Sequence, residues 1–361
     1  MAHPKVLVVG AGPVGLAAAN RLLRNGAAVR IIDRNPARTT LSKALAINVR
    51  TLEHLEASGL SDRLIEAGQR INRMRFFRGA DPLAEIDLSR LHHRYNYLVC
   101  LPQSETERIF EDELNAQGGR VERETELTGF HREGETVTVA LTGPGGWAET
   151  ATADYLVGAD GAHSAVRKGL GVGFPGGRHD LRWNLADVQI DGPYRDDEAV
   201  MHLQPAHAML VLPLGRRWFR IVTTVPDALN RLPLGRVVGE PAWNTDFTTS
   251  HRIVDSYGAG RVFLAGDAAH LHSPAGGRGM NLGIEDATVL ANRIVGGGLE
   301  TYSRDRRKVG LSVIAQTERM LAMVTLRNPL AQALRNLALR CLVPLEPVQA
   351  RLRPRLMGLA D

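Results

Sequence analysis

Lys5-Val-Leu-Val-Val-Gly10-Ala-Gly12-Pro-Val-Gly15-Leu-Ala-Ala-Ala-Asn-Arg-Leu-Leu-Arg-Asn25 is the stretch that decides the fold. Its first half is a β-branched run that stops on a glycine, and its second half has the small and apolar spacing of a helix over 13–25. Ala28–Asp33 then returns to strand character, which makes a β-α-β unit. Inside it, Gly10-x-Gly12-x-x-Gly15 closes a strand and opens a helix, and acidic Asp33 ends the next strand 18 positions after Gly15. The first glycine permits the tight turn, the second lets backbone N–H groups approach a pyrophosphate, and the third lets the helix lie close on the sheet. The helix N-terminus favours negative charge, and Asp33 is placed to accept hydrogen bonds from a ribose. NAD and FAD both use this fingerprint, so the spacing leaves the dinucleotide open. A second match, Gly171-x-Gly173-x-x-Gly176, contains Pro175 and has no helical periodicity behind it. It reads as a turn between domains, and the chain is expected to hold one dinucleotide.

Outward from this unit, helical patterns cover 49–57, 61–67 and 103–117, and alternating stretches cover 73–77 and 83–88. Further alternation at 120–130, 136–141 and 148–153, with Pro144-Gly145-Gly146 as a turn, reads as a β-meander inserted between two pieces of one nucleotide-binding sheet. The sheet resumes at Tyr155–Ala159. From Phe174 to Tyr257 alternation dominates and implies a mostly antiparallel sheet. At Val262–Ala265 a buried strand returns, followed by a Gly-rich loop and a helix over 280–295. The expected architecture is α/β: a discontinuous Rossmann-type domain with a β-meander (1–173 and 258–298), a mostly antiparallel substrate domain (174–257) and C-terminal helices (299–361). Pro329, Pro344, Pro347 and Pro354 are expected to cut those helices into segments.

Composition narrows the class. With 361 residues, 44% of them hydrophobic and 23% charged, the chain is long enough to bury two cores, which excludes a disordered or collagen-like protein. Two cysteines, Cys100 and Cys341, exclude a disulfide scaffold and a cysteine zinc site. The net charge of +5 is small and its arginines are scattered, so no nucleic-acid partner is expected. The chain shows neither the charge pattern of a secretory leader nor an uncharged run of transmembrane length, so the expected location is the cytoplasm. The C-terminal helices interleave Leu321, Val324, Leu337, Leu339 and Leu342 with Arg319, Arg327, Arg335 and Arg340. They are expected to pack on the parent domain, with a homodimer contact or a membrane surface as alternatives.

Two more segments carry chemistry. Arg261-Val-Phe-Leu-Ala-Gly266-Asp267 sets a carboxylate just past the end of a buried strand, where ligands of open α/β sheets sit and where a ribityl or ribose hydroxyl finds an acceptor. The loop Ser273-Pro274-Ala-Gly-Gly-Arg278-Gly279-Met280-Asn281 presents successive backbone N–H groups before a helix, a cradle for a phosphate or for the oxygen of a flat ring. No metal site is expected.

Taken together these segments resemble the group A flavoprotein monooxygenases, the aromatic hydroxylases related to p-hydroxybenzoate hydroxylase, phenol hydroxylase and the polyketide hydroxylases. The resemblance covers nearly the whole chain. It implies FAD held by Gly10, Gly12, Gly15, Asp33 and Arg34, with Gln103 contacting the flavin. Gly158-Ala-Asp160-Gly161 matches the family's Asp-Gly motif, which serves both FAD and NAD(P)H, and Arg50-Thr-Leu-Glu53 fits the family as well. Gly266-Asp267 matches the segment on the ribityl chain, and Pro274 with Gly279, Met280 and Asn281 the loop against the isoalloxazine ring. Lys43 stands where the family has an Arg beside the flavin, and Arg278 where Gln or Lys is common; both keep positive charge near an anionic reduced flavin, although Lys cannot reproduce a bidentate contact. The stretch between Pro226 and Trp243 is short for the family, and no counterpart of the extra C-terminal domain of its longest members is expected. The resemblance further implies hydroxylation of a phenol or polyketide, with NADPH or NADH as transient co-substrate and O2 as oxidant through a flavin C4a-hydroperoxide. The protein then supplies position, dryness and electrostatics. Lys43, Pro274 and His202 are the candidate catalytic residues, His202 as a base on a strand expected to face the flavin, with a histidine hydrogen-bonded in the sheet as the rival reading. His270 reads as packing, and His92-His93 receives no role. Trp218-Phe-Arg-Ile fails the halogenase pattern. Baeyer–Villiger oxidation and epoxidation share the flavin motifs, and a non-catalytic flavin-binding protein is the reading from a different class.

Overall fold

The computed structural model describes residues 5–39 and 44–360; Lys43 lies outside the described residues. Nine helices occur among them: α1 (Pro13–Arg24), α2 (Val49–Glu56), α3 (Leu60–Ala67), α4 (Gln103–Ala116), α5 (Ala165–Gly169), α6 (Gly279–Gly296), α7 (Tyr302–Val324), α8 (Pro329–Leu342) and α9 (Glu346–Leu356). The opening segment folds as its glycines dictate. Strand Lys5–Val9 runs parallel to Ala28–Ile32, with Lys5 opposite Ala28 and Val9 opposite Ile32. On its other side lies Tyr155–Gly158, also parallel, and beyond that Val262–Leu264. Val121–Glu122 and Gly258–Ala259 are the edges of this six-stranded sheet. Helices and the antiparallel strands of 126–153 cover its central strands, so Val6, Leu7 and Val8 are buried in succession rather than in alternation. Because the central strands are parallel, their C-terminal ends share one rim, and Gly10, Asp33, Asp160 and Gly266 arrive there from four distant parts of the chain.

The meander is present as Glu126–Glu133, Thr136–Thr142 and Ala148–Ala153, antiparallel throughout. The continuous run expected over 120–130 is broken. Val121–Glu122 belongs to the first sheet, where Asp33 N–H donates to the Glu122 carbonyl, and Glu124 turns the chain with φ 53° before the meander begins. Alternation cannot reveal that one run serves two sheets.

An eight-stranded, mostly antiparallel sheet runs in the order His270–Leu271, Arg236–Ile253, Gly176–Asp191, Trp218–Thr223, His207–Gly215, Glu198–Gln204, Arg73–Arg78, Asp81–Asp87. The last two strands differ from expectation. By position they fall within the first domain, yet Arg73–Arg78 pairs in parallel with Glu198–Gln204, from Arg73 opposite Glu198 to Arg78 opposite Leu203. The partner edge is a tertiary choice that local sequence does not encode. The front face of this sheet, with Trp183, Met201, Leu203 and Leu212, joins the main core. The back face, with Ala186, Val188, Val200, Met209, Phe219 and Ile221, forms a second core closed by Tyr194, Val225 and Ala228. Between Gly176–Asp191 and Arg236–Ile253 the register slips: Arg178 faces Ser250 and Arg182 faces Thr248, so a bulge at 179–181 opposes Thr249.

The C-terminal helices meet the expectation of packing only in part. Leu321 and Val324 of α7 are buried and Leu339 packs on the core, but Leu330, Leu334, Leu337, Leu342 and Leu345 are 50–69% exposed. Pro329 opens α8 and Pro344 lies between helices. Pro354 sits inside α9 rather than cutting it. No single helix among the described residues is long and apolar enough to cross a membrane.

Candidate functional site

The three glycines of the first turn are required for different reasons. Gly10 has φ +100°, and a Cβ there would stand 2.4 Å from the Ala159 carbonyl oxygen. A Cβ at Gly15 would stand 1.8 Å from the Gly10 oxygen. Both are demanded by the fold. A Cβ at Gly12, by contrast, would meet nothing within 4 Å, and its φ of −76° suits any residue. The chain keeps space open there, at the N-terminus of α1, whose cap makes no side-chain hydrogen bond. An uncapped helix end with room in front of it has the donors and dipole a pyrophosphate needs. A dinucleotide therefore fits these residues.

Asp33 is tied to the same turn. One of its carboxylate oxygens accepts from the Ala11 N–H at 2.7 Å and the other from the Asn35 N–H at 2.8 Å. Each oxygen retains a second lone pair for a ribose hydroxyl. Arg34 beside it is exposed. Gln103 opens α4, where its amide oxygen accepts from the Ala44 N–H at 3.2 Å and its amide nitrogen donates to Glu107 at 2.9 Å. Burial pushes the Glu107 carboxyl up to about 7, against the opposing pull of the Gln103 bond.

Asp160 has another task than the one expected. Its carboxylate accepts from Ser164 Oγ at 2.5 Å and from the N–H groups of Ala165 and Val166 at 2.6 and 3.2 Å, so it caps α5 within its own segment. Arg167 of α5 joins this segment to the one that follows Gly266-Asp267: the buried guanidinium donates to the Ala268 and Ala162 carbonyls and lies 4.0 Å over the Phe174 ring.

Gly266 packs so closely on α1 that a Cβ would stand 2.8 Å from Val14, and at Gly283 of α6 one would stand 2.6 Å from the same side chain. The first turn, the Gly266-Asp267 segment and the start of α6 thus meet around Val14. Asp267 is exposed at the strand end. Beneath it lies an ion-pair cluster that sequence reasoning missed. Asp286, fully buried, accepts from the Gly266 N–H at 3.1 Å, His270 Nε2 at 2.7 Å and Arg306 Nε at 2.6 Å, while Arg306 also reaches Glu285 at 2.6 Å. Burial drives the Asp286 carboxyl up, but Arg306 and His270 outweigh it and hold the group below the usual carboxylate range. The signal in the sequence is Glu285-Asp286 set among the apolar residues of one helix.

In the loop 273–281, Pro274 is half-buried and Met280 buried. The Asn281 side chain is fully used: it donates to the Ala46 and Gly277 carbonyls and accepts from the Asn48 N–H and Thr51 Oγ1, all at 2.8–2.9 Å. It shapes the loop, and what remains for a ligand is the backbone at the start of α6, from Gly279 onward, whose cap makes no side-chain hydrogen bond. His272 Nδ1 donates to the Ser273 carbonyl at 2.9 Å, which leaves Nε2 as a buried acceptor with no partner. Burial pushes this imidazole down to about 4, so it is neutral.

His202 does not face the flavin side. By register it lies beside Met209 on the back face, fully buried, with Nε2 at 2.9 Å from Tyr194 Oη and Nδ1 at 2.9 Å from the Gly79 carbonyl. Both nitrogens are spent, and the expectation of a substrate base at this position is corrected: a one-residue change of register exchanges the faces of a strand. A cavity of about 1110 Å³ opens on that same back face between Asn184, Thr223 and Asp246, and so lies away from the glycine rim. On the front face Trp183 and Phe247 stack with centroids 6.3 Å apart at 21°, and Trp183 Nε1 and Thr249 Oγ1 are buried with no hydrogen-bond partner.

A family model described as FAD binding domain matches residues 3–317. The chain is 34% identical over 98% of its length to 6-methylpretetramide 4-monooxygenase of Streptomyces rimosus, and 32% identical over 88% of its length to pentachlorophenol 4-monooxygenase of Sphingobium chlorophenolicum. It spans 68% and 64% of the lengths of these two relatives. The crystal structure of p-nitrophenol 4-monooxygenase from Pseudomonas putida shares the fold, with a TM-score of 0.88 at 23% identity over 99% of this chain and 98% of that one.

Proposed function

The chain belongs to the FAD binding domain family and is an FAD-dependent monooxygenase of the aromatic hydroxylase type, and from that premise we propose that it hydroxylates a phenol or phenolic polyketide bound between the 273–281 loop and the front face of the eight-stranded sheet. When bound, FAD supplies the redox centre that NAD(P)H reduces and that activates O2. The remaining work falls to residues of this chain. The gap at Gly12 and the N–H groups of α1 receive the pyrophosphate, Asp33 the ribose and Asp267 the ribityl hydroxyls. The backbone at the start of α6 sets its dipole against a flavin ring oxygen, where negative charge develops on reduction. Arg278, buried beside that turn, adds positive charge.

The observation that carries the substrate reading is the pair of buried, unpartnered polar atoms, Trp183 Nε1 and Thr249 Oγ1, beside the Trp183–Phe247 stack. Buried polar atoms are ordinarily satisfied, and an aromatic stack edged by a donor and a hydroxyl matches a flat ring that bears oxygen. His272 Nε2, an acceptor, is suited to take a hydrogen bond from a phenolic O–H, the part first expected of His202. Hydroxylation is favoured over Baeyer–Villiger oxidation because the relatives are named for phenols and aromatic polyketides.

The test is the rate of flavin reduction by NADPH and NADH across a panel of phenols, in wild type and in Trp183→Phe and Thr249→Val. The expected result is reduction accelerated by a subset of phenols, with KM for those phenols raised at least about tenfold in the variants, the worth of one hydrogen bond to a buried partner, and FAD content unchanged. If no phenol accelerates reduction, or if the variants keep wild-type KM, the assignment fails.

A further inference from the structure

Away from the glycine rim, three side chains from three elements converge. His179 lies in the bulge of strand Gly176–Asp191, His251 on the neighbouring strand Arg236–Ile253, and Glu318 on α7. His179 Nε2 is 3.0 Å from Glu318 Oε1 and 3.4 Å from His251 Nδ1, and the three ligand atoms all lie within 4.8 Å of one another. We propose that His179, His251 and Glu318 form a binding site for a divalent transition-metal cation, zinc(II) in the first instance, that clamps the bulged hairpin to α7.

The distances carry the argument. With metal–nitrogen and metal–oxygen bonds of about 2.0–2.1 Å, two ligands on a tetrahedral zinc stand about 3.3 Å apart. Two of the three separations are already close to that edge. The third closes by rotation of Glu318, whose side chain is 34% exposed and has room to move. A hydrogen bond alone accounts for His179 and Glu318, but it leaves the His251 nitrogen aimed at the same His179 nitrogen. Gly177 supports the reading: a Cβ there would come within 2.9 Å of the His251 ring, so only glycine lets that imidazole lie where it does. Two imidazoles and one carboxylate suit zinc, cobalt, nickel or copper and disfavour calcium and magnesium, which prefer all-oxygen shells. The remaining coordination position is left to water, and partial exposure of His179 and Glu318 gives an ion a way in. The clamp would steady the 273–281 loop, because Met320 of α7 lies beside Gly276.

The test is calorimetric titration of Zn2+ into the FAD-loaded protein after dialysis against chelator, with the melting temperature followed in parallel. One equivalent should bind and raise the melting temperature. His179→Ala and His251→Ala should bind at least about 100-fold more weakly, and Glu318→Gln at least about tenfold, since even groups that only orient a ligand are worth 10–100-fold. Exposed His92→Ala should bind as wild type. His179→Gln keeps size and hydrogen bonding without zinc affinity, and unchanged FAD content in it separates loss of the site from loss of the fold. Zinc uptake by wild type no greater than by the His179→Ala/His251→Ala double variant, or wild-type zinc affinity retained by either single variant, overturns the proposal.

Discussion

Gly12→Val and Gly15→Ala should separate what the fold requires from what the cofactor requires, although the two glycines belong to one motif. At Gly12 the side chain enters open space from an extended backbone conformation, so the apo-protein loses only the advantage of glycine at a helix cap, about 0.5–1 kcal/mol. For a chain of this size that lowers the melting temperature by no more than about 3 °C. The two added methyl groups, however, occupy the approach to the N–H groups of α1. Losing one or two hydrogen bonds to a charged phosphate, each worth about 1.5–3 kcal/mol, weakens FAD binding at least about tenfold. At Gly15 the added carbon would lie 1.8 Å from the Gly10 carbonyl oxygen, a backbone atom that cannot swing away. Overpacking of that kind costs about 1–3 kcal/mol or more, and the apo-protein itself should melt early. The assay is paired: thermal unfolding of flavin-free protein, and titration of FAD by fluorescence quenching. The reasoning is refuted if Gly12→Val binds FAD with wild-type affinity, or if it destabilises the apo-protein as much as Gly15→Ala does.

Three further outcomes are expected. Folding raises the Glu107 carboxyl from 4.5 to about 7, so the folded chain holds a proton there that the unfolded chain has already released. The stability that this adds is complete below about pH 4.5 and lost as pH rises through 7, of order 3 kcal/mol. Glu107→Gln should flatten that part of the stability–pH curve in urea melts, and an unchanged slope would remove Glu107 as its source. Arg306→Met leaves Asp286 and Glu285 as buried carboxylates without their shared cation and should cost about 3–5 kcal/mol in urea unfolding; a loss below about 1 kcal/mol would mean that the cluster is not coupled to the fold. His202→Phe should cost about 1–3 kcal/mol by stranding Tyr194 Oη and the Gly79 carbonyl, yet leave the pH profile of substrate oxidation untouched. A shifted profile would return His202 to the chemistry.

The β-α-β opening, the parallel rim, the meander and the helix over 279–296 were all legible, because each depends on spacing within one segment: glycines before a helix, alternation in a strand, a period of 3.6 residues. A dinucleotide followed from that spacing, and FAD from the family resemblance that three such segments in order carry. Asp160 and Asn281 show the limit of motif reading. Both stand in recognisable patterns, and both spend their side chains on the protein, Asp160 as a helix cap and Asn281 as a four-bond brace of the loop. A motif records that a residue type is needed, not which atom meets the ligand.

Local sequence settled the periodicity of each element, the positions of the tight turns and the presence of a dinucleotide rim, since these follow from backbone stereochemistry and nearest-neighbour patterning. The face that each strand turns to the flavin, the joining of Arg73–Arg78 to Glu198–Gln204, the buried Arg306 cluster and the meeting of His179, His251 and Glu318 arose in three dimensions alone. Register and sheet partnership come from packing between strands, some of them more than a hundred positions apart, and a slip of one residue there turns a candidate base such as His202 from the substrate side into the back core.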